Sequence, residues 1–340
     1  MSLSDAMSLS EAVPLSEAVS RPPTVALLGP TASGKSDLAV AAVRAMAGAP
    51  VELVSVDSMA VYRGMDLGTA KPSPAVRAEV PVHLVDLVEP SDEFTVQQFQ
   101  QAADTVLAGI ARRGGLALLV GGTGLYLRSI TDRLTFPGRY PTVAADLIGS
   151  LDAAGPEGSP GERALLAAVH QRLGALDPVA AGRIQPTNRR RLVRAMEVTL
   201  GSGRPFSSFG PGLERYPPSD VAMVGVAHDP EILDRRIAAR FTRLMDEGLL
   251  EEVRALAARA GGLSRTARQA LGYRELLAHL EEGLPLVEAV ELAIRRTRTL
   301  ARRQMAWFRR DPRIVWLGDD DAIATISSRF GSGPTAGVRD

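Results

Sequence analysis

The chain has 340 residues, 45% of them hydrophobic, with 39 basic and 39 acidic side chains balancing to a formal net charge of zero. That length accommodates one large α/β domain carrying an insertion, or two domains, and the balanced charge argues against a general polyanion binder. Cysteine is absent, which excludes disulfides, thiol catalysis and thiolate zinc sites, and no apolar run approaches the ~20 residues of a membrane span.

Taken in chain order, residues 2–19 repeat a six-residue unit, SLSDAM, SLSEAV and PLSEAV. Without a basic start or a long apolar core this is not a signal peptide, and residues 1–20 are expected to form a disordered leader of a cytoplasmic protein. "TVALLG" (24–29) reads as a buried strand, residues 34–47 as a helix, "VELVSV" (51–56), "HLVDLV" (83–88) and "LALLV" (116–120) as further strands, with a helix over about 95–112. Such alternation predicts a parallel sheet with right-handed crossovers. Gly and Pro become dense over 136–160, and an Arg-bearing helical stretch follows, so 136–207 is expected to be a mostly helical insertion. "DVAMVGVAHD" (220–229) resumes the sheet, helices fill 230–308, "RIVWL" (313–317) is a last strand, and 319–340 is expected to be a loose tail. The core is then 21–135 with 208–318.

The strand at 24–29 leads into G-x-x-x-x-G-K-S, comprising Gly29, Pro30, Thr31, Ala32, Ser33, Gly34, Lys35 and Ser36. This is the strand–loop–helix setting of a phosphate-binding loop: glycines for the tight path, Lys35 for phosphate charge, Ser36 for Mg2+, and a helix N-terminus aimed at the anion. The usual companions are missing. The single Asn, Asn188, precedes Arg rather than opening an N-K-x-D guanine motif, and no strand ends in the D-E pair of a motor ATPase. Asp57 follows the second strand and the G-G-T-G of 121–124 follows the fourth. Loops at the carboxyl ends of parallel strands share one crevice, so both face the phosphate loop. Asp57 reads equally as a turn-capping residue. The four histidines, His83, His170, His228 and His279, show no metal spacing and read as ordinary residues.

At this point several stretches together become specific. GPTASGKS, SVDSMAVYRGMDLGTAKP (55–72), HLVDLVEPSDEFTVQQF (83–99), LVGGTGLY (119–126), LDPVAAGRIQPTNRRRLVRAMEV (176–198), QALGYREL (269–276) and RTRTLARRQMAWFRR (296–310) resemble the bacterial tRNA dimethylallyltransferases over about residues 24–317. The resemblance implies a kinase-like P-loop fold whose loop holds the diphosphate of dimethylallyl diphosphate. It implies transfer of the dimethylallyl group to N6 of adenosine 37 in tRNAs with an A36-A37-A38 run, which read codons beginning with U. Asp57 matches the family's base, Arg240 in "AARF" its diphosphate-side arginine, and Thr123 a tRNA-facing position. Ser58, Met59, Ala60, Arg190, Arg191, Arg194, Gln269, Gly272 and Arg274 match tRNA-contact segments, and Mg2+ on Ser36 is the implied cofactor. A monomer is expected.

The residues suit that chemistry. Lys35, the loop amides and Mg2+ would stabilise charge developing on the departing diphosphate, and a carboxylate would orient and deprotonate the amine. Five Arg and no acid lie between Arg183 and Arg194, and eight Arg with three acids lie over 285–315. On the last long helix Val290, Ile294, Thr297, Ala301, Met305 and Phe308 form one apolar stripe, with Arg295, Arg298, Arg302 and Arg309 off it and expected to meet phosphates. Two positions depart from the family pattern: Ala144 stands where an Arg is frequent, so one tRNA contact is either lost or supplied by Arg139, and Gly124 replaces Met of some members and is expected to loosen its loop. Competing readings are an adenylate isopentenyltransferase acting on free AMP, a small-molecule kinase, and a non-catalytic tRNA-binding protein. The basic insertion argues against the first, and intact Lys35, Ser36 and Asp57 argue against the last.

Overall fold

A computed structural model of the protein describes residues 21–331 apart from Ala47 and Pro211; the leader expected over 1–20 lies outside the described residues. Six strands, β1 (Thr24–Leu28), β2 (Val51–Val56), β3 (Val82–His83), β4 (Leu116–Gly121), β5 (Ala222–Val226) and β6 (Ile314–Leu317), form one all-parallel sheet in the order β3-β2-β4-β1-β5-β6. Between them run α1 (Lys35–Ala45), α2 (Pro74–Glu79), α3 (Val96–Arg112) and α4 (Gly124–Thr131). Next come α5 (Pro141–Ala153), α6 (Pro160–Leu176), α7 (Pro178–Arg183) and α8 (Arg189–Ser202). The chain closes with α9 (Pro230–Asp246), α10 (Leu249–Ala257), α11 (Tyr273–Glu282), α12 (Leu286–Phe308) and α13 (Asp319–Gly331).

Strand alternation explains the layers. Val25 and Leu27 of β1 point into one apolar cluster with Ala39 and Ala42 of α1, while Ala26 and Leu28 point into the other with residues of α3, α4 and α9–α12. A strand covered on both faces needs apolar residues on both, hence its unbroken run. The α/β class is as expected from the sequence. No helix among the described residues is long and apolar enough to cross a membrane.

Three expectations are corrected. The strand expected over 83–88 ends at His83. Leu84 and Asp86 adopt left-handed φ of 60° and 56°, and Asp86 is gripped by Lys71 Nζ and Arg77 Nη1, each at 2.6 Å. The chain therefore leaves the sheet, and Leu87 and Val88 donate to the Val61 carbonyl instead. The tail is not loose over 319–331: Ala322 and Ile326, four apart on α13, are buried against the α1 face of the sheet, and three aspartates in its first turn suit the helix dipole. On α12 the buried side is Ala289, Ala293, Thr297, Ala301 and Phe308, while Val290 and Ile294 sit at its edge.

Helices α5–α8 share their own cluster, centred on Leu151, Leu166, Leu173, Leu192 and Met196. Where the chain returns to the core, buried Arg128 donates to Asp132 and to the carbonyls of Leu213 and Arg215. Arg313 joins Asp132 at 2.7 Å. This buried ionic knot ties the return from the helical insertion to α4 and β6.

Candidate active site

The crevice lies at the carboxyl ends of β1, β2 and β4. The phosphate loop leaves β1 at Gly29, where a Cβ would come within 2.7 Å of the Val226 carbonyl. Ala32 (φ 63°) and Gly34 (φ 84°) turn the loop back into α1. Gly34 is the helix N-cap, and no side chain caps α1 there, so its first amides are left for an anion. Lys35 Nζ donates to the Pro30 carbonyl at 3.2 Å. Desolvation deep between the loops lowers its pKa to about 8, a shift that the Asp57 charge opposes and Arg240 reinforces. Ser36 is exposed, and its hydroxyl has no partner among the described residues. His228, read from the sequence as ordinary, braces the loop: its Nε2 donates to the Ser33 carbonyl at 2.9 Å, which fixes the tautomer.

Of the two readings of Asp57, the turn-capping one is visible in its hydrogen bonds. Its Oδ1 accepts from the amides of Met59 (2.8 Å) and Ala60 (3.3 Å), a turn-capping role. Oδ2 has no hydrogen-bond partner among the described residues. Ser58 and Met59 are half-buried, but Ala60 lies in the core. Its methyl group is unavailable for the RNA contact expected of it.

Thr123 is tied to this turn, its Oγ1 accepting from the Ser58 amide at 3.3 Å. Gly124 does not loosen the loop, because a Cβ there would overlap the Trp307 indole, which occupies the space. From the same helix α12, Gln304 spans two loops: its Oε1 accepts from the Thr31 amide at 2.8 Å and its Nε2 donates to the Gly122 carbonyl at 3.0 Å.

Arg240 enters from α9. It reaches the Thr31 hydroxyl at 3.5 Å and donates to the Gly68 carbonyl at 3.1 Å. Burial lowers its pKa, and the Asp57 charge works against that shift. Behind Gly68 the Tyr273 hydroxyl donates to Glu252 at 2.5 Å, and the other Glu252 oxygen accepts from the amides of Asp66 (3.1 Å) and Leu67 (2.9 Å). Gln304, Tyr273, Glu252 and His228 were all missed as site residues from the sequence. The available signal was modest: a single uncharged amide at the end of an Arg-rich helix, and a Tyr beside Gly272.

The positions expected to touch RNA divide. Arg190 and Arg191 are exposed on α8, and Gln269, just before α11, and Arg274, in its first turn, are exposed as well. Arg194 is instead committed to neighbouring groups, pairing with Glu197 at 2.7 Å and donating to the carbonyls of Pro137 and Gly138. Gly272 is buried with φ 89°, a backbone role. On α12, Arg298 and Arg302 pair with Asp234 and Arg295 with Glu291, while Arg309 is exposed.

Residues 60–311 match the model of a family described as IPP transferase. The chain belongs to that family. The matched span starts just after Asp57 and does not include the phosphate loop. The tRNA dimethylallyltransferase of Kineococcus radiotolerans is 45% identical over 302 residues, covering 88% of this chain and 92% of its own. That of a Nocardioides species is 44% identical, covering 89% and 93%. Among solved structures, the tRNA isopentenylpyrophosphate transferase of Bacillus halodurans superposes with a TM-score of 0.63 at 32% identity, covering 91% of this chain and 96% of its own. A eukaryotic dimethylallyltransferase acting on tRNA, at 22% identity and a TM-score of 0.66, shares the fold.

Proposed function

We propose that the protein is a tRNA dimethylallyltransferase: it transfers the dimethylallyl group of dimethylallyl diphosphate to N6 of adenosine 37 and releases diphosphate. The observation that carries this reading is the convergence of Lys35 and Arg240 on one side of a crevice whose other side presents Asp57, close enough for its charge to act on both cations.

The division of labour follows from charge. Diphosphate seats against the α1 amides, Lys35 and Arg240, which stabilise the negative charge that grows as the allylic C–O bond breaks. The acceptor base must be extruded from its loop to enter the crevice. Its exocyclic amine donates to Asp57 Oδ2. As the N–C bond forms, the nitrogen becomes positive, the charge-assisted hydrogen bond strengthens, and the proton passes to Asp57. Arg190, Arg191, Gln269, Arg274 and Arg309 supply exposed polar and cationic contacts for the RNA around the crevice.

Magnesium fits the residues present. Among the described residues no group of three or more His, Cys, Asp or Glu is placed to hold a metal, so an all-protein cage is absent there. Mg2+ usually takes most of its ligands from water and phosphate oxygens and only one or two from protein, and the unpartnered Ser36 hydroxyl meets that need. When bound it would add positive charge beside the leaving group. We further read the protein as a cytoplasmic monomer.

The test is mass spectrometry of nucleosides from tRNA incubated with the protein, Mg2+ and dimethylallyl diphosphate, with free AMP and ATP in parallel reactions. Dimethylallylated adenosine from tRNA is the expected product. Modification of AMP alone, or ATP turnover unstimulated by tRNA, would overturn the reading.

A further inference from the structure

Gln304 lies where α12 touches both sides of the crevice. Its partners are two backbone groups on different loops: the Thr31 amide in the phosphate loop (2.8 Å) and the Gly122 carbonyl in the loop after β4 (3.0 Å). The geometry requires a side chain that accepts and donates at once, as a neutral primary amide does at any pH. The Thr31 amide offers only a donor and the Gly122 carbonyl only an acceptor, so one side chain must accept at one end and donate at the other. Glutamate lacks the donor when ionised, and leucine lacks both groups.

The two loops carry the two reactants. Thr31 belongs to the leaving-group side, where its hydroxyl also meets Arg240. Gly122 precedes Thr123, whose hydroxyl holds the Ser58 amide beside Asp57, the nucleophile side. Beneath them β1 and β4 are paired, Leu28 opposite Gly121, so the sheet sets the loop spacing at the floor. Above the floor, the Gln304 amide is the cross-link. An additional side chain at Gly122 would collide with it, a Cβ lying 2.5 Å from Nε2.

We propose that Gln304 is a positioning residue for group transfer: by holding the Thr31 and Gly122 loops at fixed separation, it sets the distance and alignment between the allylic carbon on the diphosphate side and the amine on the Asp57 side. Reacting atoms must approach to about 3–3.5 Å in line, and a misplacement of about 1 Å costs on the order of 10²-fold in rate. A residue acting this way lowers kcat and leaves the affinity of each substrate nearly unchanged, because each half-site stays intact.

This rests on the transferase reading, so wild-type transfer is measured first: its absence sinks both claims, and its presence puts only Gln304 at stake. The full-length Gln304→Leu variant is expected to lose about 10²-fold in single-turnover rate, with KM for dimethylallyl diphosphate and tRNA affinity changed by less than about threefold. Gln304→Glu supplies a readout tied to the donor itself. Protonated, its carboxyl both donates and accepts; ionised, it only accepts and places an anion beside the diphosphate. Its rate relative to wild type is expected to climb as pH falls towards the carboxyl range. Thermal melts accompany both variants. If Gln304→Leu does not fold, the pH profile of Gln304→Glu decides. A folded Gln304→Leu with normal kcat, a loss wholly in KM, or a pH-independent Gln304→Glu to wild-type ratio would overturn the proposal.

Discussion

Arg240 and Gly68 are joined by a 3.1 Å hydrogen bond from the guanidinium to the carbonyl, and the Tyr273 ring rests where a side chain on Gly68 would project. The glycine thus lets a backbone carbonyl reach Arg240, the half-buried cation that α9 brings to the crevice. Gly68→Ala forces the turn and the ring apart and withdraws that carbonyl. Turnover is expected to fall roughly 10–10²-fold through misplacement of Arg240. Tyr273→Phe keeps the ring but removes the hydroxyl's bonds to Glu252 and to the Gly68 backbone, at about 1 kcal/mol of stability each. Steady-state kinetics beside thermal melts check both; a Gly68→Ala enzyme as active as wild type would separate the turn from Arg240.

Asp57 commits Oδ1 to its turn and leaves Oδ2 without a partner among the described residues, which makes two substitutions informative tests of the proposed base. Asp57→Asn keeps a carbonyl oxygen for the Met59 and Ala60 amides, so the fold should be retained, while loss of the base costs ~10²–10⁴-fold in kcat. Asp57→Ala also loses the turn cap, adding about 1 kcal/mol of destabilisation. Single-turnover kinetics and melts resolve the pair. A stable, fully active Asp57→Asn enzyme would leave Asp57 with its turn alone.

Lys35 gives a pH signature. With its pKa lowered to about 8, it carries its charge below that pH and loses it above. Since kcat/KM reports the free enzyme, kcat/KM for dimethylallyl diphosphate should decline as pH rises through about 8. Lys35→Arg, whose charge persists beyond about pH 12, should keep whatever activity it has without that limb. A limb that survives in the Arg variant belongs to another group.

Much of this site was legible because its chemistry is local. A phosphate loop announces itself in eight consecutive residues between an apolar run and a helix, and Asp57 and Thr123 follow their strands directly. What was illegible depends on partners far along the chain. The stretch after His83 has strand composition, yet Asp86 is captured by Lys71, and the backbone turns away from the sheet to reach it. Arg194 looks like its neighbours Arg190 and Arg191 until Glu197 and the Pro137 carbonyl are placed beside it. Gln304 gains meaning only when α12 is laid across the mouths of β1 and β4. The helix over 319–331 was obscured by its polar composition, since only Ala322 and Ile326 are fully buried, with Ile323 and Phe330 packed beside them.

That contrast within α8 is itself testable. Arg190→Ala with Arg191→Ala should weaken tRNA binding and flatten its salt dependence, each lost phosphate contact reducing the slope by ~0.7–0.9. Arg194→Ala should instead strand the buried Glu197 carboxylate and lower thermal stability, with a smaller effect on the salt slope. Binding titrations at several salt concentrations and a melt distinguish the two; identical behaviour of Arg194 and the exposed pair would contradict the division.

The bond from Thr31 to Gln304 closes a separation of 273 residues. On a ribosome, where chains grow at about 5–20 residues per second, the phosphate loop emerges roughly 15–55 s before the amide that completes it is synthesised. Through that interval a nascent chain can present the loop, Lys35 and Ser36 while Arg240 and then Gln304 are still missing. Competence for transfer therefore arrives late and all at once, and a chain released before α12 is translated should expose a phosphate-binding loop incapable of prenylating RNA.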